Sequence, residues 1–125
     1  MIVGSQCYQY LNSTDGVNMT VARQSCAEVN LTLASVHNWK ENQKFSSLVK
    51  SETILHGGYV LNTSWVWFDG TGWSYSNWGE GQPQPSKGTC IVMTQGGVWR
   101  AANCSKTVNE FICQLEKGIF VNWFI

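Results

Sequence analysis

Five cysteines are the residues with the most evident chemistry in this 125-residue chain: Cys7, Cys26, Cys90, Cys104 and Cys113. No two of them form a Cys-x-x-Cys pair, the spacing that is typical of zinc sites, so we expect no structural zinc. So many cysteines in a short chain indicate a disulfide framework formed in an oxidising compartment. Several pairings are compatible with the count alone, and one cysteine must stay outside any two bridges.

The other residues that could do chemistry give no pattern typical of an enzyme. His37 and His56 lack a second ligand at metal-binding spacing, and we interpret both as structural. No serine lies in a nucleophile elbow, and no two carboxylates are arranged as an acid and base pair. We therefore predict a binding module that is not an enzyme.

Five Asn-x-Ser/Thr sequons support an extracellular location, since this tripeptide accepts N-linked glycans in secreted proteins. We predict glycans on Asn12, Asn18, Asn30 and Asn62. The fifth sequon, at Asn103, is the weakest because its middle residue is a cysteine that we expect to pair. The alternative is that loops rich in serine and threonine form sequons by accident.

Charge and hydropathy exclude two classes of partner. Eight basic and eight acidic residues give a net charge of zero, and the chain lacks the cluster of Lys and Arg that binding of nucleic acid requires.

The apolar tail 118–125 is far shorter than the roughly 20 residues of a membrane-spanning helix. Only five residues separate Met1 from Cys7, so no signal peptide is evident, and we expect a longer secreted precursor.

The predicted secondary structure that positions these residues changes along the chain, from helices and strands in the first half to strands alone in the second. Residues 6–11 and 31–36 alternate as strands. Thr20 is the predicted N-cap of a first helix, with Ala22, Cys26 and Val29 on one face. A second helix is predicted over 39–51 with Asn38 as its N-cap. From Tyr59 onward, short aromatic and β-branched runs predict strands over 64–68, 73–78, 89–94, 97–99 and 110–114. Helices before strands indicate the α+β class.

Between two of these strands, residues 78–88 form a long stretch rich in Gly and Pro, and a loop of this length in a small domain is commonly functional. The aromatic residues around it recur at strand spacing. We therefore interpret them as core residues in preference to sugar-stacking platforms. They are Trp65, Trp67, Trp73, Trp78 and Trp99.

The ordered cysteines and tryptophan motifs together resemble the C-type lectin-like domain. The residues that carry the resemblance are Leu33-Ala-Ser-Val-His-Asn38, Trp67-Phe-Asp-Gly-Thr71 and Ser76-Asn-Trp78, with four cysteines in the order of the family. The resemblance covers residues 6–114 and implies one disulfide-stabilised domain over 1–117, followed by the tail 118–125. One departure is Leu55-His-Gly-Gly58, where the family has Trp-Ile-Gly, which removes an aromatic from the core.

The family implies two disulfides, Cys26–Cys113 and Cys90–Cys104. In the chain-entropy account the first stabilises the fold by ~4–5 kcal/mol and the second by ~3 kcal/mol. Cys7 lies where longer members place the second cysteine of an extra pair. Its partner would precede Met1, and the alternative is a Cys7–Cys7 bridge in a covalent homodimer.

In sugar-binding members of the family, a Ca²⁺ ion on the long loop is held by carboxylate and amide oxygens. The mapped positions here are Gln82-Pro83-Gln84, Gly88 and the pair Arg100-Ala101. None of them is a carboxylate, and Ca²⁺ needs six to eight oxygen ligands, several of them charged. Glu80 cannot supply a site alone. We therefore expect no bound cofactor and no strong Ca²⁺ site.

Two functions remain open, and a third is weaker. The first is a lectin that binds a glycan, with galactose-type specificity suggested by the Gln-Pro tripeptide, through the amides of Gln82, Gln84 and Asn103 and with Arg100 as a further contact. The second is a receptor-like module that binds a protein ligand. The third is ice binding, known for some fish members, but the extra cysteines of those proteins are missing.

Overall fold

Two helices and eight strands build the domain in a computed structural model, which describes residues 2–3, 6–48, 53–94 and 96–115. For residues 2–3, 6–7, 10 and 53–56 it describes the backbone alone. In chain order the elements are β1 (Ile2–Val3), β2 (Gln6–Val17), α1 (Met19–Glu28), β3 (Thr32–Leu33), α2 (Trp39–Leu48), β4 (Thr53–Leu61), β5 (Ser64–Trp67), β6 (Cys90–Thr94), β7 (Trp99–Ala102) and β8 (Val108–Gln114). The α+β class is confirmed, whereas the tail 118–125 lies outside the described residues.

Helix α1 begins two residues earlier than the sequence indicates. Its N-cap is Asn18, whose Oδ1 accepts the backbone N–H of Val21 at 3.0 Å, so the prediction of Thr20 was wrong. Asn18 is extended, as an N-cap residue should be, and it brings Met19 into the core at the first helical position. Because side-chain oxygens of both Asn and Thr can cap a helix, sequence alone did not separate them.

Helix α2 begins where the sequence predicts. Asn38 Oδ1 accepts the N–H of Glu41 at 2.9 Å, and Glu41 Oε1 in turn accepts the N–H of His37 at 3.1 Å. The first bond satisfies one of the donors that a helix start leaves open, and the second ties the residue before the cap to the first turn. The described helix ends at Leu48. The prediction continued it to Ser51, but residues 49–52 are not described.

The sheet joins the two ends of the domain. Its strand order is β1-β2-β8-β4-β6-β7, with β3 added to β8 and β5 added to β4. All these pairs are antiparallel except β4 with β8, which is parallel. Strand β7 is therefore an edge strand of the described sheet, and the long loop lies beside its open edge.

Several strand boundaries differ from the predictions. Strand β2 runs on through the turn-rich stretch to Val17, with its register broken between Asn12 and Val17, where Gly16 has φ +78°. Strand β4 was not predicted at all, and β3 is only two residues long. The predicted strand over 73–78 was wrong. Its aromatic side chains are partly buried, but in that segment only Trp78 forms a bridge, to Trp99.

Two buried clusters fill the space between helices and sheet. One surrounds both disulfides and includes Met19, Leu33 and Phe111; the other surrounds Trp99 and includes Phe45 and Trp67. Cys26 is joined to Cys113 with a Cα–Cα distance of 5.5 Å, and Cys90 to Cys104 with 5.1 Å, as the family resemblance implies. The Cys7 side chain is not among those described, so its pairing stays a prediction.

Gly57 marks the departure from the Trp-Ile-Gly motif. A Cβ atom there would lie 2.8 Å from the carbonyl oxygen of Leu33, and the Gly57 N–H donates to Ala34 O at 2.6 Å. Only glycine allows this approach of two backbones. The motif therefore keeps its glycine, while the side chains of Leu55 and His56, where the family has Trp and Ile, are not described.

Candidate functional site

The long loop is anchored along the open edge of β7. The N–H of Gly79 donates to Trp99 O, and the N–H of Trp99 donates to Asn77 O, both at 2.9 Å. Asn77 Nδ2 also donates to Gly97 O at 2.6 Å. An edge strand leaves backbone N–H and C=O groups without a neighbouring strand, and here the loop forms hydrogen bonds with those of Trp99. The loop is consequently fixed as part of the fold.

Gln82, the first residue of the mapped tripeptide, is bound within the protein. Its Oε1 accepts the N–H of Ala101 at 3.0 Å and the N–H of Gln84 at 3.2 Å. An amide oxygen has two lone pairs, and both are used by these backbone donors. Gln82 therefore cannot offer this oxygen to a cation, whereas its NH₂ group remains a hydrogen-bond donor.

The other predicted contacts lie along the same edge or behind it. Loop 82–88 runs beside the end of β7, because Gln82 meets Ala101 and a Cβ on Gly88 would lie 2.4 Å from Asn103 N. Gln84 and Asn103 are both exposed, and Asn103 Oδ1 accepts the N–H of Ser105 at 2.8 Å. The two ends of loop 82–88 thus lie against the backbone of residues 101–103.

Arg100 is placed differently from the three amides. It pairs with Val92 across β6 and β7, whereas Trp99 pairs with Met93. Successive residues of a strand point to opposite faces, so Arg100 extends away from the face that holds Trp99 and Ala101. It is half-buried there. A role for Arg100 in ligand contact stays a prediction.

The mapped calcium positions do not fit Ca²⁺. The side-chain oxygen of Gln82 is already occupied by two backbone N–H groups. Gly88 has φ +143°, and a Cβ on it would lie 2.1 Å from Ala102 O, so the backbone excludes a glutamate at this position. Ala101 offers no side-chain oxygen. Across the described ranges, no three His, Cys, Asp or Glu side chains are grouped so that they could hold a metal ion. The neutral donor set and the backbone disagree with the calcium site that the family implies.

An aromatic cluster centred on Trp99 supports the loop from below. Trp99 is fully buried and makes edge contacts with Trp67 at 5.8 Å, Trp73 at 6.0 Å and Trp78 at 5.8 Å between ring centroids. Its Nε1 donates to Asn42 Oδ1 at 2.7 Å, within the core. These tryptophans pack as core residues, in line with the interpretation of their spacing. The sequence analysis did not identify Asn42. Its position three residues before Phe45 places it on the same, buried face of α2, and this spacing could have indicated a buried polar residue.

A polar network connects the two family motifs on the other side of Trp67. Asp69 accepts the hydroxyls of Ser35 at 2.5 Å and Thr71 at 2.6 Å, together with Gln114 Nε2 at 2.6 Å. Burial raises the pKa of Asp69, but these hydrogen bonds outweigh it, and the net shift is downward. Asp69 is therefore held as a carboxylate that ties residues 69–71 to β8.

His37 belongs to this network but is not placed as a catalytic base. Its Nε2 lies 2.9 Å from both Ser35 Oγ and Thr71 Oγ1. Each hydroxyl gives its single hydrogen to Asp69, so His37 Nε2 must carry the proton and donate to both. In a Ser-His-Asp triad the imidazole instead stands between serine and carboxylate and accepts the serine proton. The geometry is that of a structural bridge.

The predicted glycosylation sites differ in exposure. Asn12, Asn30 and Asn62 are exposed, and Asn62 lies in the turn between β4 and β5. Asn18 is half-buried and caps α1. In the part of the chain that the structure describes, we find no helix both long and apolar enough to cross a membrane.

Comparisons with known proteins agree with the fold. The family model described as "Lectin C-type domain" matches residues 15–115. Bone marrow proteoglycan of Rattus norvegicus is 33% identical over 90 residues, which cover 66% of this chain and 39% of that protein. Ladderlectin of Oncorhynchus mykiss is 29% identical over 130 residues, covering 95% of this chain and 67% of the relative. The chain thus spans about two fifths of the length of the proteoglycan.

Solved structures show the same architecture. The cow C-type carbohydrate-recognition domain of CD23, in the presence of GlcNAc2Man3 oligosaccharide, superimposes with a TM-score of 0.84 at 21% identity and covers 91% of this chain and 90% of its own. A calcium-independent type II antifreeze protein gives a TM-score of 0.82 at 23% identity, with 91% and 88% covered. At these identities the likeness concerns the fold alone.

Proposed function

Because this chain belongs to the C-type lectin domain family, we propose that it is a lectin module that binds carbohydrate directly, without Ca²⁺. Its contact surface is the ridge formed by loop 82–88 and the end of β7. We propose further that it acts as a secreted glycoprotein, in keeping with its two disulfides and exposed sequons.

One observation carries the calcium-independent part of the proposal. Gln82 Oε1 is shared between the N–H groups of Ala101 and Gln84, so the loop is held in shape by a side chain that calcium-binding relatives use for the metal. The internal hydrogen bonds replace the organising role of the ion. The loop can therefore present its surface with no metal bound.

The chemistry of the ridge favours a neutral polyhydroxyl ligand. The NH₂ group of Gln82 and the exposed amides of Gln84 and Asn103 can donate to sugar hydroxyls, and amide oxygens can accept from them. The chain's net charge of zero makes attraction of a strongly charged ligand less favourable. Gln in first place of the tripeptide favours a galactose-type sugar.

A protein ligand is the second candidate. Trp39 at the start of α2 is 60% exposed, and Val98 beside the loop is 41% exposed. Exposed tryptophan is common at the centre of protein interfaces. This candidate retains the fold and the loop but assigns recognition to the apolar side chains and not to the amides.

A glycan array separates the two candidates. We expect the chain to bind galactose-terminated glycans, and Gln84→Ala to weaken this about tenfold, a change of about 1.4 kcal/mol. Gln24→Ala is the matched control, because Gln24 is also an exposed glutamine but lies on α1. Absence of binding to every glycan would contradict the lectin proposal and favour a protein ligand.

A further inference from the structure

A groove opens between the β4–β5 hairpin and the long loop. Its volume is about 310 Å³, and it is lined by Val60, Thr63, Trp65, Pro83, Pro85, Gly88 and Thr89. The hairpin supplies one side and the loop the other. The N–H of Val60 donates to Thr89 O at 3.0 Å, which holds the two sides together at the base.

The walls of the groove are apolar rings. Trp65 faces it from β5, and the pyrrolidine rings of Pro83 and Pro85 face it from the loop. None of the seven lining residues is charged, and the only lining side chains that can form hydrogen bonds besides the indole are the hydroxyls of Thr63 and Thr89. The lining therefore offers few groups that could form hydrogen bonds with the several hydroxyls of a sugar ring. It matches an apolar ring with at most one polar substituent.

The groove is formed before any ligand binds. The Trp65 indole is fixed from behind by Trp78, with ring centroids 5.0 Å apart, and by Trp73 at 6.5 Å. A fixed wall lowers the ordering cost of binding.

The size of the groove selects the ligand. A cavity of roughly 150 Å³ accommodates a single benzene ring, and small-molecule sites begin at about 300 Å³. Aromatic rings are favoured over aliphatic chains against an indole, because they also gain from offset or edge stacking. We infer that this groove binds a small molecule bearing a bicyclic aromatic ring system, independently of whether the neighbouring amides bind sugar.

The test uses 2-naphthol, titrated into the intact chain and followed by saturation-transfer NMR. We expect binding, and we expect Thr63→Glu to weaken it at least about tenfold by placing a charge at the groove mouth. Thr63 has φ +68°, so a residue without β-branching is tolerated there at least as well. The matched control is Leu61→Glu, in the same hairpin, 51% exposed and not part of the groove lining.

A second variant protects the test against misfolding. Pro85→Glu introduces the same charge from the opposite wall at an exposed position, and we expect the same loss. Failure of 2-naphthol to bind the wild-type chain, or equal binding by wild type and both groove variants, overturns the inference. Methyl β-galactoside measured alongside reports on the amide ridge. Its failure to bind, with 2-naphthol still bound, would count against the lectin proposal alone.

Discussion

Replacing Gln82 by alanine tests whether this side chain organises the loop. The substitution removes the acceptor of two backbone N–H groups, one of which belongs to Ala101, only 4% exposed. A buried donor without a partner costs about 1–3 kcal/mol, and water can replace the bond to the exposed Gln84. We expect the free energy of unfolding to fall by about 2 kcal/mol.

The assay is guanidinium chloride unfolding with the disulfides intact, followed by tryptophan fluorescence. For a domain of this size, a loss of 2 kcal/mol lowers the midpoint by about 0.5 M. Gln84→Ala is the control, because the side chain of Gln84 is exposed and its backbone N–H remains. We expect that variant to unfold within about 0.5 kcal/mol of the wild type.

Glutamate at the same position adds a pH test. A carboxylate at 82 would accept the same two N–H groups, and such charge-assisted bonds are about twice as strong. These bonds would depress its folded-state pKa, so the added stability is present above the unfolded pKa of about 4.3 and is lost as the pH falls through the folded pKa. If Gln82→Ala were as stable as the wild type, the loop would not depend on Gln82, and the argument against a calcium ligand there would fail.

Three further predictions concern the core, the polar network and the glycans. Asn42→Leu should destabilise the fold by about 2 kcal/mol in chemical unfolding, because Trp99 Nε1 loses its buried acceptor Asn42 Oδ1, whereas Gly97 O keeps the bond from Asn77 Nδ2; an unchanged midpoint would contradict this. Asp69→Asn should flatten the loss of stability that the wild type shows as the pH falls below about 4. The lowered pKa of Asp69 adds stability above the unfolded pKa, and this stability is lost as the pH falls through the folded pKa; an unaltered pH profile would refute that role. Enzymatic deglycosylation of the secreted chain should convert Asn12, Asn30 and Asn62 to aspartate, which mass spectrometry detects as a change in peptide mass. Unmodified asparagine at all three positions would disprove the sequon prediction.

Patterns that depend on local spacing could be predicted from the sequence. Helix α2 begins at its Asn38 cap as expected. Of the spaced tryptophans, Trp67 and Trp99 are buried core residues, whereas the other three are partly buried and pack against them. The disulfide pairing needed the family resemblance, because the count of cysteines allows several connectivities. The start of α1 was missed because two capping residues, Asn18 and Thr20, stand close together.

Features that depend on contacts between distant segments could not be predicted. The residues 73–78 alternate like a strand, but their rings pack around Trp99 from a loop. The partner of the Gln82 oxygen lies 19 residues away on β7, and no local pattern indicates it. The groove likewise needs the β4–β5 hairpin, of which β4 was not predicted, to meet the long loop.

In this C-type lectin domain the long loop is anchored by hydrogen bonds within the protein. Backbone groups of residues 77–79 pair with the edge of β7, Gln82 adds a side-chain bond, and the Trp99 cluster supports both. The same anchoring leaves Gln84 and Asn103 on the surface. In the proposed function, Gln82 therefore both anchors the loop and offers its NH₂ group to the ligand, while Gln84 and Asn103 supply the other two amides.

The most direct test of the central claim is the affinity for a galactose-terminated glycan, measured by calorimetry in 5 mM EDTA and in 5 mM CaCl₂ (about fivefold above the dissociation constant of the weakest extracellular calcium sites). The account predicts dissociation constants that agree within about twofold, because no calcium ligand set is present at the mapped positions. Loss of binding in EDTA by tenfold or more, restored by added CaCl₂, would contradict it.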